Sequence, residues 1–245
     1  LGLNNEPQNA QGLSMHLDLS SINLHTNFKI SSSGETLVLS SPEGYIVDSI
    51  STGNMLGDVS WGRQPDGGAD WFFFAEPTPG NANVTTGYSG VLEPPYVSEA
   101  GSPFSSPTTI TISTDAPGAE IYYTMDGSYP NGGSTVYTGS LYVDDNTILR
   151  TVATKQGWLN SRPSTHSYLF DYTGELPVVS LSTNPEHFWD NDSGIYVMGP
   201  NASPVFPHFD ANFWQDWERP IHIEMFEPDG WLAFSIDAGV KIYGN

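Results

Sequence analysis

Apolar residues in this chain recur at every second position in short runs, and each run ends at a turn. Ile110 and Ile112 alternate with Thr109 and Thr111, Asp115-Ala116-Pro117-Gly118 reverses the chain, and Ile121 to Thr124 return. Period-two alternation bounded by Gly, Pro and Asp predicts strands joined by tight turns. The same logic predicts a hairpin in LVLSSPEGYIVDSI, with Pro42 and Gly44 at the second and fourth places of the turn. Further strands are predicted at Trp71 to Phe74, Ser140 to Val143, Thr147 to Thr154, Thr165 to Phe170, Val178 to Leu181 and Ile195 to Met198. Two more flank the Glu227-Pro228-Asp229-Gly230 turn. Pro185 after Asn184 predicts one short helix, with Asn184 at its cap.

No segment of about twelve residues holds a clean helical period, so the expected class is mainly β. Glycine (25) and proline (19) supply the many turns. No run of about 18 apolar residues occurs, so no membrane-spanning helix is expected. A net charge of −21, from 7 basic and 28 acidic residues, repels phosphate backbones and argues against nucleic-acid binding. With no cysteine, disulfide scaffolds, cysteine-zinc sites and thiol chemistry are excluded. The chain opens on Leu1-Gly2-Leu3, and a processed or trimmed product is expected. Asn83, Asn191 and Asn201 lie in glycosylation sequons, which a Ser/Thr-rich chain produces by chance.

Three stretches resemble known families. FKISSSGETLVLSSPEGYIVDSI, SWGRQPDGGADW and TPGNAN, in that order, resemble the bacterial lamin-tail domain over about 24–83. That resemblance implies a small immunoglobulin-like sandwich whose first strands are not recognisable in residues 1–20. Asp48-Ser49-Ile50 is similar to an O-glycosylation signal of some Bacteroidota. IYYTMDGSYP, VYTGSLYV and TILRTVATKQGWLNS look like the chitobiase/β-hexosaminidase C-terminal domain, an Ig/FN3-like accessory fold that carries no catalytic residues. LPVVSLSTNPEHFWDNDSGIYV, DWERPIHIEMFEPDG and DAGVKIYGN resemble the opening of the CotH-type atypical kinases. That family implies ATP and a divalent metal, but its phosphate- and metal-binding groups lie beyond the segment Gly239 to Gly244, so no catalytic residue transfers here. The expected organisation is 1–90 lamin-tail-like, 91–172 chitobiase-C-terminal-like and 173–245 CotH-like, with Leu92-Glu93-Pro94-Pro95 as a stiff linker between the first two.

Candidate chemistry is sparse. Trp158, after Gln156-Gly157, either stacks on a sugar ring or caps the sandwich core. Asp190 and Asp192 in DNDSG offer oxygens to calcium, although the glycine comes one place early for an EF-hand loop and no glutamate closes it, so a hairpin-type turn is the preferred reading. Asp126, Asp144 and Asp145 divide between calcium and turn chemistry, and turn chemistry is favoured. His16 and His25 read as polar loop residues rather than metal ligands. Lys241 reads as a surface or ion-paired lysine before a phosphate ligand. The expected function is a non-catalytic spacer or protein-interaction region of a secreted or cell-surface bacterial protein. The alternatives are the N-terminal part of an atypical kinase and, from seven Trp and twelve Tyr, a region that binds polysaccharide.

Overall fold

The computed structural model describes residues 29–170, 172 and 174–243. The chain divides into two compact units, Leu1–Tyr88 and Ser89–Asn245. Sixteen strands and two short helical turns make up the regular structure of the described residues, so the protein is mainly β. No helix among them is long and apolar enough to cross a membrane.

In the first unit, β1 (Thr36–Ser40) and β2 (Ile46–Ser51) form the predicted hairpin, with Leu37 opposite Ile50. Its turn closes where the Gly44 N–H donates to Ser41 O at 2.9 Å. A second ribbon pairs β3 (Ser60–Arg63) with β4 (Trp71–Phe74). Opposed residues share a face of such a ribbon, which brings the Trp61 and Trp71 rings to 4.3 Å and lays the Arg63 guanidinium over Trp71. Arg63 also pairs with Asp48 at 3.0 Å, tying the two ribbons together. Phe74 is the buried anchor.

The second unit begins with a sandwich. Its strands are β5 (Tyr96–Val97), β6 (Ser102–Pro103), β7 (Thr108–Ile110), β8 (Ile112–Ser113), β9 (Glu120–Thr124), β10 (Thr135–Val136), β11 (Leu141–Val143), β12 (Thr147–Thr154) and β13 (Ser164–Leu169). One sheet runs β10-β9-β12-β13-β6, and the pairs β11-β7 and β5-β8 lie opposite it. Ile121, Leu149 and Tyr168 from the first layer meet Ile110, Ile112, Leu141 and Val143 from the second, which is the two-layer core of an immunoglobulin-like sandwich. Residues 89–92 belong to this unit and are not a free linker at their start: Leu92 is buried and its N–H donates to Leu159 O at 3.0 Å.

A third sheet, β14-β15-β16, follows from β14 (Val178–Ser182), β15 (Arg219–Phe226) and β16 (Leu232–Val240). Between β14 and β15 lie helix α1 (Pro185–Trp189), starting at the predicted Pro185, and a 3-10 turn Asn212–Trp214. The strand predicted at Ile195 to Met198 does not form. The Ile195 and Tyr196 N–H groups donate to His187 and Phe188 carbonyls at the end of α1, so helix and loop, not a neighbouring strand, satisfy this backbone. The polarity of the third sheet is unusual. Its polar face, with Ser180, Ser182, His222 and Glu224, carries the buried residues Ser182 and Glu224. On its apolar face Leu181 and Ile236, which flank Ile223, are 56% and 53% exposed.

Candidate functional site

Two regions of the second unit concentrate chemistry. The first is a seam where the polar face of the third sheet meets strand β13. Alternation along β15 puts His222, Glu224 and Phe226 on one face. Glu224 is 1% exposed, and its carboxylate accepts the Ser167 N–H at 2.7 Å. The Ser167 and Ser180 hydroxyls bond each other at 2.7 Å. Gly101 fits beside them because a side chain there would meet the Ser167 backbone at 2.8 Å and Glu224 Oε1 at 3.0 Å. Burial raises the Glu224 pKa above the usual carboxylate range, and the Ser167 hydroxyl and N–H pull it back in part. Burial, helped by the neighbouring charge of His222, lowers His166 to about 4, so its ring is neutral at pH 7.

The same sheet lines up Ser235, His222 and Asp237. His222 Nδ1 lies 2.7 Å from Asp237 Oδ1 and its Nε2 lies 3.0 Å from Ser235 Oγ. The order is that of a nucleophile, base and orienting acid. Strand register accounts for it without catalysis: His222 lies opposite Asp237 and one rung diagonal from Ser235. Ser235 and Asp237 are both exposed.

The second region is an open groove of about 380 Å³. Phe213, Trp214, Gln215 and Asp216 form one wall, and Lys241, Ile242 and Tyr243 the other. The 3-10 turn that carries the first wall is held from beneath by Asn212, whose buried amide donates to Asn191 O at 3.1 Å and Gly194 O at 3.0 Å. Gly199 (φ +73°) lies so close to the Asn212 amide that a side chain at 199 would overlap it. The Trp214 indole N–H donates to Pro207 O at 3.0 Å, and its ring packs against Phe209 and Phe213 at centroid distances of 5.5 and 6.3 Å. Trp214 is nonetheless 46% exposed, and Tyr243 is 94% exposed. Lys241 and Asp216 form a 2.8 Å ion pair at the lip. The pair lowers the Asp216 pKa, first through the Lys241 hydrogen bond and then through its charge.

Sequence reasoning missed this groove and, of its residues, singled out only Lys241, as a surface or ion-paired lysine. Lys241 sits just past β16. Trp158 lies elsewhere: its ring covers Gly90, where a Cβ would come within 2.3 Å, and the Lys155 ammonium sits 4.8 Å from its ring centre. Asp190 Oδ1 accepts the Asp192 and Ser193 N–H groups and the Ser193 hydroxyl, which lower its pKa, while Asp192 accepts from Asn191. Asp126 likewise takes the Ser128 N–H and hydroxyl, and Asp145 takes the Asn146 N–H. Among the described residues no three His, Cys, Asp or Glu side chains converge as a metal site would require. His16 and His25 lie outside the described residues. The Asn83 side chain is committed to Arg63 O and the Thr78 hydroxyl, and Asp48 to Arg63.

Residues 99–178 match the chitobiase/beta-hexosaminidase C-terminal domain family. The match begins three residues before β6, runs through β13 and ends on the first residue of β14, so it coincides with most of the sandwich. No curated protein and no solved structure matches the chain. An Ig-like domain of this family supports a non-catalytic module over these residues.

Proposed function

We propose that the chain is a non-catalytic modular region of an exported bacterial surface or secreted protein, spacing and presenting contacts ahead of a CotH-like domain. One observation carries the reading. An Ig-like module matching an accessory-domain family is joined through the buried Glu224–Ser167 contact to the sheet built from the residues that resemble a CotH opening. A module fastened to its neighbour by a buried carboxylate and paired serines holds a fixed relation to it, which is what a spacer requires. A lamin-tail-like first unit is part of the same proposal, as are protein partners.

Export has a direct test. Antibodies against the 245-residue chain are applied to intact and to lysed cells of the producing bacterium, with added protease as a second readout. The expected result is labelling and cleavage on intact cells, or the protein in the medium. Signal confined to lysed cells would overturn the reading.

A further inference from the structure

We propose that the groove between the Asn212–Trp214 turn and residues 241–243 binds a neutral oligosaccharide. The proposal stands on the groove, independently of the spacer role, and its site is not Trp158.

Three observations point to a sugar. The groove presents aromatic rings from both walls: Trp214, packed against Phe209 and Phe213, and the exposed ring of Tyr243. A pyranose ring offers a face of C–H bonds that such rings cover, while its rim of hydroxyls needs donors and acceptors. Those stand at the lip. Asp216 accepts from a hydroxyl, Lys241 donates to one, and the Gln215 amide, whose side chain has no hydrogen-bond partner among the described residues, does both. Lastly, charge selects the class of saccharide. The Asp216–Lys241 pair sums to zero on a chain of net charge −21, so the groove has no attraction for a polyanion and the surrounding field repels one.

A proline-rich peptide also docks on aromatic grooves, using a free tryptophan N–H to bind a backbone carbonyl. Here that N–H is spent on Pro207 O. The committed indole keeps a fixed orientation and offers its ring alone, which suits a stacked sugar. The Asn212 amide beneath the turn pre-forms the wall, so little ordering entropy is lost when a ligand arrives.

The test uses the whole chain and four soluble neutral probes, cellohexaose, laminarihexaose, mannohexaose and chitohexaose, with an alginate hexamer as the anionic counterpart. Binding is read by titration calorimetry and by saturation-transfer NMR on the sugar. At least one neutral probe is expected to bind with Kd of about 1 mM or tighter. Tyr243→Ala, at a side chain too exposed to affect folding, and Trp214→Ala are each expected to weaken that binding about tenfold or more. Asp216→Asn weakens it as well, while Trp231→Ala, at an exposed tryptophan outside the groove, leaves it unchanged. Three results would overturn the proposal: no neutral probe binds, binding survives both Tyr243→Ala and Asp216→Asn, or alginate binds as well as the neutral sugars.

Discussion

Tyr168→Ala is expected to cost the second unit about 3–5 kcal/mol, the range for deleting a large buried aromatic. Tyr168 is fully buried where the two layers of the sandwich meet, in contact with the cluster of Ile110, Ile121 and Leu149 and beside Phe104 at 5.7 Å. Its hydroxyl donates to Glu99 O at 2.7 Å, so the ring fills the core while its polar tip reaches a backbone acceptor. Burial and the nearby Glu224 and Glu99 raise its pKa, so the hydroxyl stays a donor at any ordinary pH. Tyr168→Phe separates the two contributions: it keeps the ring and removes one hydrogen bond, worth about 1 kcal/mol. Urea unfolding of the two variants, followed by a probe in residues 89–245, measures both. An alanine variant as stable as the parent would mean that the core is not where the structure puts it.

The second large effect belongs to Glu224, and it depends on pH. A carboxyl whose folded pKa is raised holds its proton where the unfolded chain has already lost its own. The folded state then binds more protons, and stability falls as pH rises. That contribution is complete below the ordinary glutamate value of 4.5 and is lost as pH climbs through the raised folded value. Glu224→Gln keeps an oxygen for the Ser167 N–H and removes the charge. It is therefore expected to match the parent below pH 4.5 and to exceed its melting temperature at pH 8. His166, lowered from 6.5 to about 4, makes both proteins less stable as pH falls through that interval, and it cancels in their difference. Glu224→Ala behaves oppositely to the glutamine variant. It leaves the Ser167 N–H buried without an acceptor and costs about 1–3 kcal/mol when compared at pH 4.5. A glutamine variant with the parent's pH profile would place Glu224 in water rather than in the seam.

Most strands were legible because short β-type runs are bounded by Gly, Pro and Asp turns, although β12 is buried on both faces and shows no period-two pattern. Strand β12 has the predicted bounds, the turns at 41–44 and 227–230 lie where Pro and Gly put them, and the turn expected at 115–118 closes one residue later, at 116–119. The loop between α1 and β15 was not legible. Ile195 to Met198 is a short apolar run like that of a strand, but the end of α1 takes the Ile195 and Tyr196 N–H groups. The seam was hidden for a different reason. Ile221, Ile223 and Met225 alternate with His222 and Glu224, and ordinary patterning sends the polar set to water. The structure buries Glu224 because Ser167 and Gly101, more than fifty residues away in sequence, supply its donor and its space. The groove joins residues 213–216 to 241–243, which no local pattern connects. Exposed aromatics are a weak signal one at a time, and it was the Asp216–Lys241 pairing that brought the walls together.

Titrating Mg·ATP into the intact chain in a calorimeter is the decisive check on the proposal that the chain is a non-catalytic modular region rather than part of an atypical kinase. Heats of dilution and nothing more are expected, with or without excess Mg²⁺. Saturable, stoichiometric binding of Mg·ATP would contradict that proposal and favour the reading of the chain as part of an atypical kinase.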